Sequence, residues 1–174
     1  MMDKLKKIML LVVLTVSVTM FSQTKAEALR DAKITSKATL NMDFETVVKY
    51  TLPSVLEMMG GKDAALQVIN KTFEGMKTQG FVFEKAEINK VSEIVKEQGQ
   101  FRCVVEGYNQ MKMGDQRISS KSYLLGIFND IDKHWWFIEA KQLKNKALTA
   151  KVLPNFETQL DIPEDDMKIE ELKK

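Results

Sequence analysis

Phe101-Arg102-Cys103-Val104-Val105-Glu106, inside a run from Gln100 to Met113, is the stretch that decides the fold. Phe101, Cys103 and Val105 fall on one face of an extended chain and Arg102 and Glu106 on the other, because successive strand side chains point to opposite sides. Gly114-Asp115 then signals a turn, and Arg117 to Phe128 is a second run of the same kind. Downstream, Asn129-Asp130-Ile131-Asp132-Lys133 is the next turn, leading into His134-Trp135-Trp136-Phe137-Ile138-Glu139-Ala140. Upstream, Phe81-Val82-Phe83 with Ile88, Val91, Ile94 and Val95 makes a first long extended segment. Short connections favour pairing in chain order, so these runs predict a four-stranded antiparallel meander.

A sheet of that length must bury a face, and the preceding residues supply the cover. From about Lys33 the apolar spacing is helical: Leu40, Phe44, Val47, Val48 and Thr51 recur on one face, with Asp43 at its edge. Pro53 ends or kinks this helix at Leu52. A short helical piece carries Val55, Leu56, Met58 and Met59 up to the break at Gly60-Gly61. A third helix runs from about Lys62 to Thr78, buries Leu66, Ile69, Phe73 and Met76, and ends on Gly80 as a left-handed cap. The expectation is an α+β domain over residues 23–163, one long helix and shorter ones packed on a curved sheet. Ala147 to Ile162 closes the core as a short helix or irregular arm, and 164–174 follows as a charged, solvated tail.

The first two dozen residues speak of location. Lys4, Lys6 and Lys7 precede an apolar run from Ile8 to Phe21, after which polarity returns at Ser22-Gln23-Thr24-Lys25. This is the layout of a secretory signal peptide, with an apolar core shorter than the ~20 residues of a membrane span. Cleavage after Ser22 makes the leader 1–22; the small-x-small triplet Ala26-Glu27-Ala28 allows an end at 28. The expected destination is periplasmic or extracellular, without a stable membrane anchor.

Lys4, Lys6 and Lys7 against Asp3 account for the whole net charge of +2, so the mature chain is nearly neutral. Without a basic stripe, nucleic acid is not an expected partner. The single cysteine, Cys103, excludes an intramolecular disulfide and reads as a buried, inert thiol. One His and one Cys, far apart, do not make a metal site without several carboxylates, and no Gly-rich phosphate loop is present. No cofactor, metal ligand or catalytic residue is assigned.

Asp130-Ile131-Asp132-Lys133-His134-Trp135-Trp136-Phe137-Ile138 resembles the "turn, Lys, x, Trp, x, Phe/Ile" entry into a late strand of nuclear transport factor 2-like proteins. Together with Leu52-Pro53 and Gly60-Gly61, this makes residues 35 to 142 similar to the cystatin-like cone, in small exported bacterial proteins of unknown function. The sequence departs from that pattern by lacking a clear strand between the early helices. Cys103-Val104-Val105-Glu106-Gly107 is also similar to the Gln-Val-Val-Ala-Gly loop of cystatin inhibitors, with Cys in place of the leading Gln.

The resemblance implies a pocket between the helices and the concave sheet face. Polar residues placed to reach it are Asp43, Tyr50, Arg102, Tyr108, Ser120, Ser122, Tyr123 and His134. Adjacent strand residues face opposite ways, so one of Trp135 and Trp136 enters the core and the other lies on the outer face, a platform for a ligand or a second copy. The binding candidates are therefore Tyr50, Tyr108, Ser122, Tyr123, Trp135 and Trp136. The expected function is an exported, non-enzymatic domain that binds a small apolar ligand or a protein partner, with a homodimer through the sheet face. The alternatives are a cofactor-free isomerase- or dehydratase-like enzyme run by polar pocket residues, and a protease-inhibitor-like module. A buried, hydrogen-bonded Asp or His in the pocket would favour the enzyme.

Overall fold

The computed structural model describes residues 24–172, so the leader expected at 1–22 lies outside the described residues. Four helices come first: α1 (Lys25–Leu40), α2 (Phe44–Lys49), α3 (Pro53–Met58) and α4 (Lys62–Thr78). Strands β1 (Val82–Val91), β2 (Val95–Glu97), β3 (Gln100–Met113), β4 (Gln116–Asn129) and β5 (His134–Glu139) follow. A 3-10 turn at Ala140–Lys144, helix α5 (Lys146–Val152) and strand β6 (Asp166–Glu171) complete the order. The sheet is antiparallel, β1-β3-β4-β5, with β2 added to β3 and β6 to β4. This is the α+β architecture expected, helices first and a meander paired in chain order.

The helical block differs from the expectation: it begins at Lys25 rather than about Lys33, it stops at Lys49 rather than Leu52, and it is broken in the middle. The single long helix is two, because Met42 adopts φ 56 and Asp43 caps a new start. The Asp43 carboxylate accepts from Thr46 N at 3.2 Å and from the Thr46 hydroxyl at 2.7 Å. Those bonds, side chain first, hold its exposed carboxyl below the usual range. Asp43 is a cap, not a general base. Upstream, α1 begins on a capping box: the Thr24 hydroxyl accepts from Glu27 N at 3.2 Å, and the Glu27 carboxylate accepts from Thr24 N at 3.0 Å.

Both sheet faces are covered toward the β5 end. On one face Cys103, Val105, Phe128, Trp135 and Phe137 pack under Ala28 and Ala32 of α1. On the other, Leu125, Ile127 and Ile138 pack with Leu52, Val152 and Leu153, with Trp136 partly buried against them. Cys103 is fully buried, and burial pushes its thiol up to about 12. A thiol held there stays protonated and inert at physiological pH. Val104 to Gly107 lies within β3 rather than at a hairpin tip, which removes the likeness to an inhibitor loop.

The C-terminal arm is fastened to this second face by Arg102. Its guanidinium is buried and donates to Glu157 O at 2.9 Å, Gln98 Oε1 at 2.9 Å and Gln100 Oε1 at 2.8 Å, with Phe156 against it. Glu97 beside it accepts from the Thr158 hydroxyl and from Gln159 N, each at 2.7 Å. Burial alone would raise the Glu97 carboxyl, but the bonds from Gln159, Thr158 and Arg102 outweigh it and leave it lowered. Arg102 is thus a structural clasp rather than a pocket group.

Where the sequence predicts a solvated tail, Asp166–Glu171 is an exposed strand, paired from Gln116↔Glu171 to Lys121↔Asp166. β5 is six residues long and β4 fourteen, so the first half of β4 keeps an open edge that β6 fills. Met167 and Ile169 alternate with Asp166, Lys168 and Glu170, a period-two pattern hidden within the charge.

Candidate functional site: a cavity beneath helix α1

Tyr50 is positioned by its main chain. The segment after α2 pairs with the free edge of β5, where Phe137 N donates to Tyr50 O at 2.7 Å and Leu52 N donates to Phe137 O at 3.0 Å. This bridge stands where the cone resemblance lacked an early strand. Burial first, and then the Asp31 charge, raises the Tyr50 phenol, with Arg30 opposing. The phenol therefore remains protonated at neutral pH and able both to donate and to accept.

Beneath α1 lies a partly enclosed cavity of about 240 Å³. Its apolar walls are Ala32, Val47, Val55, Ile88, Leu124 and Phe137. Thr35, Ser36 and Thr39 line it from α1, Tyr50 and Thr51 from the segment after α2, Asn109 from β3, Ser122 from β4, and Glu139 and Gln142 from the end of β5 and the turn beyond. The volume exceeds the ~150 Å³ that holds a benzene molecule and falls below the ~300 Å³ at which drug-sized sites begin. It suits a compact ligand of one or two rings, or a short branched chain.

Of the expected binding residues, the structure brings Tyr50 and Ser122 together here. Tyr123 is buried on the opposite sheet face with Val104 and Ala140, its hydroxyl 3.5 Å from Glu106 Oε2. Tyr108 is on that same face, paired in register with Lys121 and beside Lys168 and Glu170. Trp135 is 0 % exposed, a core residue. Trp136 lies on the outer face, partly buried against the chain's own Leu52, Val152 and Leu153.

His134 sits edge-on to Tyr50 and to Trp136, with ring centres 5.2 and 6.0 Å away. Among the described residues nothing hydrogen-bonds its buried Nε2, so it has no orienting carboxylate. It lines a broad cleft of about 890 Å³ together with two of the expected binding residues, Tyr50 and Trp136, and with Lys49, Lys62 and Asp132. That cleft is the larger volume but a surface groove. Of its charged groups, Lys62 lies 3.1 Å from Glu45, Asp132 accepts from Asn129 at 2.6 Å, and Lys49 Nζ stands 5.8 Å from the centre of the Tyr50 ring. The smaller cavity, with apolar walls facing one another, is the better binding site.

Sequence reasoning missed Thr35, Ser36, Thr39, Asn109, Glu139 and Gln142. A signal for the first three was present: Ala28, Ala32, Thr35, Ser36 and Thr39 are small residues at i, i+4 spacing, the stripe of a helix that approaches a sheet closely. Among the described residues no group of three or more His, Cys, Asp or Glu is placed to hold a metal ion. No described helix is long and apolar enough to cross a membrane.

No family model matches the sequence, and no curated protein matches it. A solved structure, an LEH-like epoxide hydrolase of M. tuberculosis, aligns over 75 % of this chain and 98 % of its own at 19 % identity, with a TM-score of 0.37. At that identity and score the likeness says nothing about chemistry.

Proposed function

We propose that this protein is an exported, non-enzymatic binding domain whose ligand is a small apolar molecule held in the cavity beneath α1. The observation that carries this reading is the cavity itself: apolar side chains from three helices and three strands converge on it, with hydroxyl and amide groups among them. A general base requires a buried, oriented carboxylate or imidazole. The carboxylate on the cavity face, Glu139, is half exposed and lies 3.3 Å from Lys141, and no His lines the cavity, which weighs against the isomerase-like alternative.

Isothermal titration with 1-naphthol tests the binding. Saturable uptake by the native protein is expected, together with its loss in Ser122→Phe, which fills the cavity. Absence of uptake by a folded native protein removes the reading.

The helix start bears on export. A cut after Ser22 leaves the Thr24–Glu27 capping box whole, whereas a cut after Ala28 removes the box and the fully buried Ala28 methyl. Loss of such a cap costs about 1 kcal/mol before the lost packing is counted. Intact-mass spectrometry of secreted material is expected to find Gln23 as the first residue, and a chain beginning at Met1 would contradict export.

A further inference from the structure

We propose that the cavity is built for a hydrogen-bond-donating apolar ligand, an amine above all, and that Glu139 makes it discriminate against carboxylates. This rests on the cavity being the ligand site.

The helix hydroxyls establish the polarity. Thr35 donates its proton to Asp31 O at 3.0 Å, Thr39 donates to Thr35 O at 3.0 Å, and Thr51 donates to Val47 O at 2.9 Å. Each proton is committed to the main chain four residues back, so these three side chains can offer a ligand only oxygen lone pairs. They cannot donate to an anion without giving up a bond already made.

The charge points the same way. Glu139 pairs in register with Leu124, which places its side chain on the cavity face. Glu87 also borders the cavity, but it pairs with Tyr108, so it contributes main chain there while its carboxylate faces away. No Lys, Arg or His lines the cavity. The nearest compensating cation is Lys141, at 3.3 Å from Glu139, and it is shared with Asp165 at 3.9 Å and well exposed. Exposed pairs of this kind are weak, so much of the carboxylate's field remains for a ligand. Groups that could still donate to a neutral ligand are Tyr50, Ser36, Ser122, Gln142 and Asn109, whose amide also donates to Ser122 Oγ at 3.4 Å; each of them can accept as well. An ammonium can therefore draw on the acceptors of every polar group present and on the Glu139 charge, while a carboxylate is repelled by that charge and finds donors only in Tyr50, Ser36, Ser122, Asn109 and Gln142.

Three probes with one skeleton separate the possibilities: 1-naphthol, 1-naphthylmethylamine and 1-naphthoate, titrated at neutral pH and low salt. The native protein is expected to bind the amine at least about tenfold more tightly than the acid, with naphthol between. In Glu139→Gln the ratio of amine to acid affinity is expected to fall to within about threefold. If naphthol does not bind at all, the ligand site itself is wrong. If naphthol binds but naphthoate equals the amine, the site stands and its selectivity is refuted. An undiminished ratio in Glu139→Gln likewise overturns the role of that residue.

Discussion

Replacing Asp31 with Ala is expected to destabilise the domain by about 2–3 kcal/mol. Asp31 is 1 % exposed, and its carboxylate accepts from the main-chain N of Trp135 at 3.0 Å and from Arg30 Nε at 2.9 Å. The Trp135 N–H opens β5, and helix α1 supplies its acceptor from 104 residues away. Without Asp31 this donor is buried unpaired, in a residue whose indole N–H is already buried without a partner. A second orphan donor on this buried residue carries a desolvation cost of its own. Arg30 is 58 % exposed and simply returns to solvent, so its loss of a partner adds little. Urea unfolding measures the difference. Asp31→Asn keeps one acceptor oxygen for Trp135 N and is expected to recover at least half of the loss. If Ala and Asn shift the midpoint equally, the hydrogen bond is not the source of the stability.

That bond also shows where sequence reading stops. The meander was legible because strand alternation is local: Cys103 and Val105 against Arg102 and Glu106 fix a face without knowledge of any partner. Helix α4 was legible to the residue because Gly60-Gly61 and Gly80 bracket it, and Gly80 does adopt φ 79. The break between α1 and α2 was hidden because Leu40 and Phe44 keep the i, i+4 spacing across it, so the apolar rhythm survives a turn that Asn41-Met42-Asp43 makes. Tyr108 and Tyr123 lie outside the cavity for a different reason. Parity puts them opposite Cys103 and Leu124, but with apolar residues on both faces of β3 and β4, parity alone does not say which face holds the cavity. Asp31 had no local signature at all. Its role depends on a contact between the first helix and the last strand of the meander, which becomes visible only once the chain has closed.

Gly126→Ala is expected to cost about 1–3 kcal/mol, through crowding rather than backbone strain. Gly126 lies opposite Cys103 and Phe137 on the α1 face of the sheet. A methyl there would stand 2.9 Å from Cys103 Sγ, 3.2 Å from Phe137 Cε1 and 3.3 Å from Trp135 Cε3. The two rings and the thiol are all buried, so none can swing into solvent to make room. The sulfur makes the closest approach, so removing it should relieve the clash: in Gly126→Ala/Cys103→Ala the new methyl takes up part of the volume the thiol leaves. A double-mutant cycle is therefore expected to show the pair at least about 1 kcal/mol more stable than the sum of the singles. Additive losses would mean that the rings, not the thiol, set the limit. The same measurement bears on the single cysteine. A thiol that fits only opposite a glycine is held as a packing element in the core, consistent with a proton that burial keeps on it up to about pH 12.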